Sequence, residues 1–126
     1  MVKLVASSVV RGSQQGESHG GIFLIDLVDQ QVRQVIDWNT MDIDWRGRGA
    51  DRGLRGIAFH RETVFIAASD ELFAYHPDFT LKGSWKNPYL KHCHEISVFQ
   101  GQVFLSSTGF DSILAFDIEK QNFHWA

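Results

Sequence analysis

Hydrophobic positions in this chain fall in short runs and not along a helical stripe. Ile22-Phe23-Leu24-Ile25, Val64-Phe65-Ile66-Ala67-Ala68, Leu72-Phe73-Ala74-Tyr75, Val103-Phe104-Leu105 and Ile113-Leu114-Ala115-Phe116 are rich in β-branched and aromatic residues and are separated by polar ones. Such runs read as strands. No apolar pattern persists at helical spacing, and the two prolines, Pro77 and Pro88, lie outside the runs. The runs are also continuous, whereas a strand with one wet face alternates. The pattern therefore predicts strands buried on both faces, in small sheets sandwiched between neighbouring sheets.

A segment occurs three times. Val64-Phe65-Ile66-Ala67-Ala68-Ser69 aligns with Val103-Phe104-Leu105-Ser106-Ser107-Thr108, and both align with Lys3-Leu4-Val5-Ala6-Ser7-Ser8. Each copy is followed by a second shared element (Leu72-Phe73-Ala74-Tyr75, Ile113-Leu114-Ala115-Phe116 and Ile22-Phe23-Leu24-Ile25) and then by a tryptophan, Trp85, Trp125 or Trp38. A repeat of about forty residues built from four short strands is the signature of a β-propeller blade. The predicted fold is all-β: about three blades of four antiparallel strands, a partial propeller, in one domain spanning 1–126.

The units fall at about 1–38, 54–86 and 93–126, with a connecting loop over 39–53. The second is predicted to run Arg55 to Phe59, Val64 to Ala68, Leu72 to Tyr75 and Leu81 to Trp85; the third, His94 to Val98, Val103 to Ser107, Ile113 to Phe116 and Asn122 to Trp125. The first has three strands, Leu4 to Val10, Ile22 to Asp26 and Val32 to Trp38, and is expected to lack its innermost strand because the chain starts too late. Three blades do not close a ring of the usual four to eight. Open sheet edges and apolar faces attract partners. The expectation is that two copies complete a six-bladed ring or that further blades belong to a longer chain, of which this would be a fragment.

Composition narrows the classes of function. Of 126 residues, 44% are hydrophobic and 21% charged, as in ordinary globular domains. A net charge of −3 offers no basic field for nucleic acid or anionic lipid. Cys93 is the lone cysteine, which excludes an intrachain disulfide and fits a reducing, cytoplasmic compartment. No apolar run approaches the roughly 20 residues of a membrane helix. The Met1–Val10 stretch resembles a weak signal peptide but aligns with the repeat, and it is read as a strand.

The densest chemistry is His92-Cys93-His94-Glu95, where the innermost strand of the third unit begins. In an extended chain His92 and His94 point to one side and Cys93 and Glu95 to the other. Two imidazoles and a carboxylate are candidate ligands for a divalent metal, so His92, His94 and Glu95 form the candidate metal set. The alternative is that these groups bond loop carbonyls at a channel mouth, and a Cys93–His nucleophilic pair is a further reading. The second unit places Arg55 where the third has His94. Arg52, Arg55, His94 and Glu95 thus form a candidate ligand site at the channel mouth, suited to a small anion that guanidinium groups hold bidentately. Arg46 and Arg48 flank it on the loop, where Asp42, Asp44 and Asp51 would alternatively pair with the arginines; these aspartates resemble a calcium loop only faintly. Trp38, Trp85 and Trp125 read as packing between blades or, alternatively, as one sugar pocket per blade. His60, His76 and His124 read as surface or packing residues.

On Arg52-Gly-Leu-Arg-Gly-Ile-Ala-Phe59, Asn87-Pro-Tyr-Leu-Lys-His-Cys-His-Glu95 and Ser107-Thr-Gly-Phe-Asp111, the chain resembles uncharacterised bacterial β-propeller proteins on the plan of NHL and lactonase-like propellers. The resemblance spans most of the chain from about Arg52 onward. It implies that His94 belongs to a channel cluster completed by histidines of further blades. Lactonase-like and lyase-like propellers set channel histidine, asparagine and carboxylate around a metal, and only Arg55, His94 and Glu95 fall at comparable places here. Two functions are therefore expected: a binding and assembly module with a small anion or metal in its channel, or a metal-dependent hydrolase or lyase.

Overall fold

A computed structural model of the chain describes residues 3–10, 12–13, 17–38 and 53–125. Its strands are β1 (Lys3–Val9), β2 (Gly20–Asp26), β3 (Gln31–Asp37), β4 (Ile57–His60), β5 (Thr63–Ala67), β6 (Glu71–Tyr75), β7 (Leu81–Lys86), β8 (Cys93–Phe99), β9 (Gln102–Ser107), β10 (Ser112–Asp117) and β11 (Asn122–Trp125). A 3-10 turn, Thr108–Phe110, separates β9 from β10. Every strand lies within two residues of its sequence-based bounds at each end. No helix among the described residues is long and apolar enough to cross a membrane.

The strands form three antiparallel meanders, β1-β2-β3, β4-β5-β6-β7 and β8-β9-β10-β11. Apart from the longer connection between β1 and β2, consecutive strands within each sheet pair through short hairpins, which satisfy backbone groups locally. Between β8 and β9 the loop is Gln100-Gly101, both with positive φ (50° and 76°), as a two-residue type I′ turn requires. The chain divides into two compact units, Met1–Leu54 and Arg55–Ala126.

In the first unit, Asp26 organises the β2–β3 hairpin: its Oδ1 accepts the N–H groups of Val28 and Asp29, each at 3.0 Å. Asp117 does the same after β10, its Oδ1 accepting Lys120 N–H at 2.8 Å. Gln30 and Gln121 then take positive φ at the ends of the two hairpins. This match, with strand pairing, sets the repeat register. Ile25 pairs with Leu4, as Tyr75 pairs with Val64 and Phe116 with Val103. The first copy is therefore Leu4-Val5-Ala6-Ser7-Ser8-Val9, one residue later than the sequence alignment that begins at Lys3. That alignment was scored on residue likeness, whereas the ladder counts positions.

The tryptophans are corrected too. Trp85 pairs with Leu72, whereas Trp125 pairs with Ala115, the equivalent of Ala74, and Ile36 rather than Trp38 stands opposite Ile22. The last strand of each sheet carries one extra residue (Val35, Lys82 or His124), at a position that differs in the first sheet. A bulge of this kind shifts all later residues along the ladder, so sequence spacing from the preceding strand loses track of them.

In the second unit the two sheets pack face to face. Phe65, Ala67, Leu72 and Ala74 of β5 and β6 join Val103, Leu105, Leu114 and Phe116 of β9 and β10 in one core with Ala58 and Ile96, and Trp85, Val98, Ile118 and Phe123 pack around it. Phe116 is its centre, with ring centroids 4.7 Å from Trp85, 5.2 Å from Phe123 and 6.5 Å from Phe65. Burying a side chain of this size contributes roughly 1.5–3 kcal/mol, and aromatic pairs add about 0.5–1.5 kcal/mol each. Val64, Ile66, Phe73 and Tyr75, which alternate with the core residues on β5 and β6, are buried as well. These two strands are thus buried on both faces, as their continuous apolar runs imply. Burial pushes the Tyr75 hydroxyl up to about 12, with Glu71 adding to the shift.

Candidate functional site

The first strands of the second unit's two sheets, β4 and β8, run close together where they begin. Gly56 makes this approach feasible: a Cβ there would sit 2.9 Å from both the His94 carbonyl oxygen and the Ile96 nitrogen. Those neighbours are backbone and do not yield, so only glycine fits. The same approach brings the flanking residue, Arg55, to His94, with Nη1 3.2 Å from Nδ1.

Both strands start with a bulge. Arg55 donates its N–H to the Ala67 carbonyl (2.8 Å), and Ala67 donates to Gly56 (2.9 Å), so two residues face one. In β8, Cys93 pairs with Ser107 and Ile96 with Leu105, leaving His94 and Glu95 opposite Ser106 alone. The Ser106 hydroxyl accepts the N–H groups of Glu95 (3.0 Å) and His94 (3.4 Å) and donates to the Glu95 carbonyl (3.2 Å). One hydroxyl therefore fixes the extra residue, using its full set of one donor and two acceptor positions.

The bulge changes which groups reach water. Cys93 and Ile96 both face the core, and His94 and Glu95 between them are both exposed. His92 precedes the strand with φ 54°, so it is not part of an extended run. The alternation expected for His92, His94, Cys93 and Glu95 does not hold here, because a left-handed residue and a bulge flank Cys93. The His92 backbone is instead tied to the 3-10 turn and to the preceding sheet: its carbonyl accepts from Thr108 Oγ1 (2.8 Å) and its N–H donates to Ser69 Oγ (3.2 Å). Cys93 N–H donates to the Ser69 carbonyl at 3.0 Å. Ser107 completes this frame, accepting Lys91 N–H at 3.0 Å and donating to the Tyr89 carbonyl. These serines were not singled out by sequence reasoning. The signal was present in the repeat, where Ser106 and Ser107 replace Ala67 and Ala68.

A guanidinium has no acceptor, so Arg55 donates to His94 Nδ1, and the His94 ring in this arrangement is neutral with its proton on Nε2. Arg55 is half-buried, while the His94 ring and the Glu95 side chain are exposed. Cys93 has no solvent exposure. Burial pushes its thiol up to about 12, the Glu95 charge adding to this and Arg55 opposing it. A neutral buried thiol is a poor nucleophile, which removes the basis for a Cys93–His pair. Among the described residues, no three His, Cys, Asp or Glu side chains gather as a metal-binding group. Arg52 and the loop residues Asp42, Asp44, Arg46, Arg48 and Asp51 lie outside the described residues.

A concavity of about 570 Å³ lies between β7 and the β10–β11 hairpin, lined by Trp85, Phe116, Lys82, His76, Ser84 and Gln121 among others. Lys82 Nζ is engaged there by Thr63 Oγ1 at 2.7 Å. Trp85 spans the concavity and the core at once, so its role in packing is direct. No protein-family model matches this chain, and no curated protein matches it either.

Proposed function

We propose that the chain is a β-propeller binding and assembly module whose inner strands present a site for a small anion. The contact between Arg55 and His94, at equivalent positions on adjacent inner strands, carries this reading. A guanidinium is a planar fork of donors suited to a carboxylate or oxyanion, and the contact with His94 orients it. His94 Nε2–H would add a donor from the side. Glu95 would repel anions that approach from its own side and so orient the ligand. In this reading the sheets are blades, the site faces a central channel, and self-association supplies the rest of the ring. The backbone frame of Ser69, Ser106 and Ser107 supports it by fixing where the site residues start.

The test is titration of the purified chain with inorganic phosphate and, separately, with acetate, followed by NMR of the Arg55 Nε–H and the Glu95 amide. Saturable shifts at both are expected, and in Arg55→Gln the affinity read at the Glu95 amide should fall at least tenfold (about 1.4 kcal/mol). Shifts that never saturate, or that survive in Arg55→Gln, would overturn the reading. Zinc added in the same format addresses the alternative of a metal-dependent hydrolase or lyase, which requires stoichiometric binding lost in His94→Ala.

A further inference from the structure

We infer that the outer face of the sheet β8–β11 docks onto the sheet β1–β3 of a second copy of this chain. The inference deepens the assembly part of the proposed function and rests on its reading of the sheets as stacked repeats.

The second unit shows how these sheets stack. The face of β4–β7 that bears Phe65, Ala67, Leu72 and Ala74 meets the face of β8–β11 that bears Val103, Leu105, Leu114 and Phe116. Call these the leading and trailing faces. Strand pairing identifies the same faces elsewhere. The leading face of β8–β11 bears Phe104, Ser106, Ile113 and Ala115, with Ser97 beside Phe104. It matches Phe65, Ala67, Leu72 and Ala74 position by position, but Ile113 is 56% exposed where Leu72 is 0%. The trailing face of β1–β3 bears Leu4, Ala6, Phe23, Ile25 and Val32. Leu4 is 47% and Val32 65% exposed, whereas the Leu4 equivalents Val64 and Val103 are 6% and 0% exposed.

Ile113 on the one face, and Leu4 and Val32 on the other, are thus apolar and open to water, although Ala115 beside Ile113 is buried. The covered pair in the same molecule shows which kind of surface each takes. A leading face receives a trailing face, so the contact between copies is heterologous: unlike surfaces meet. Covering both faces removes exposed apolar positions from each copy, and a heterologous contact closes into a ring where its rotation allows.

Light scattering after size exclusion reads the outcome. The wild-type chain is expected at a discrete multiple of its 14.3 kDa mass, dissociating on dilution. Ile113→Asp and Leu4→Asp should each weaken association at least tenfold. Mixed together they should pair again, because the intact leading face of one variant meets the intact trailing face of the other. Circular dichroism and thermal melting check folding, and Ser97→Asp with Val32→Asp replaces the first pair if either variant fails to fold. A wild-type monomer at the highest soluble concentration overturns the inference. So does dissociation by only one variant of the pair, which signals like faces meeting, and so does a mixture that stays monomeric. Phosphate titration of the dissociated variants keeps this separate from the site: retained shifts at Arg55 mean the anion reading stands whatever the oligomer does.

Discussion

The sheets β4–β7 and β8–β11 carry similar residues at the same ladder positions: Phe65 and Phe104, Leu72 and Ile113, Ala74 and Ala115. Yet β5 and β6 are buried at nearly every residue, while β9 alternates and β10 leaves Ile113 in water. Local sequence sets the strand, and the neighbouring sheet sets the burial. The starts of the two sheets differ in the same instructive way. Both have a two-to-one bulge, but the first has glycine where the second has glutamate, and alanine where the second has serine. The glycine lets the strands meet; the serine pins the residue that the meeting exposes.

The largest expected effect breaks the burial comparison directly. Leu72→Ala should cost about 2–5 kcal/mol, because it empties a fully enclosed position. Ile113→Ala, at the equivalent position, should cost under about 1 kcal/mol in urea unfolding at a concentration where the chain is monomeric. Equal losses would mean that the two faces are equally covered.

Next is Gly56→Ala. The added methyl meets the β8 backbone at 2.9 Å, and separating the strands should cost about 1–3 kcal/mol. The NMR signature should be loss of the Arg55–His94 contact, with shifts confined to the starts of β4 and β8. A variant of unchanged stability that kept the contact would show that the close approach is not what positions Arg55.

The third effect is a pH slope. Cys93 and Tyr75 both have folded-state values raised to about 12 by burial, so between their unfolded values and 12 the folded chain holds protons that the unfolded chain has released. Stability is then complete below about pH 8.5 and falls as pH rises through this window. Each group contributes at most about 1.4 kcal/mol per pH unit. Cys93→Ala should reduce that slope by one group's share in urea midpoints measured from pH 8 to 11, and Ile113→Ala should leave it unchanged.

Strands and meander order were legible in this sequence because period, run length and turn residues are local properties that the backbone obeys almost wherever the segment sits. The pairing of Arg55 with His94 was legible as a position, since the repeat makes them equivalent. Four features were not. The register of the first copy depends on which residues Asp26 and Leu4 pair with. The tryptophans depend on where Val35, Lys82 and His124 are left out of the ladder. The exposure of Glu95 depends on Ser106 holding a bulge that spacing alone does not announce, and the inertness of Cys93 depends on the core that encloses it. Sequence by itself determined the elements and their order, because these follow from short-range sterics and hydrophobic patterning. Tertiary structure alone decided which faces are covered and which polar groups meet at the starts of β4 and β8, because those depend on how closely two separate stretches of backbone approach.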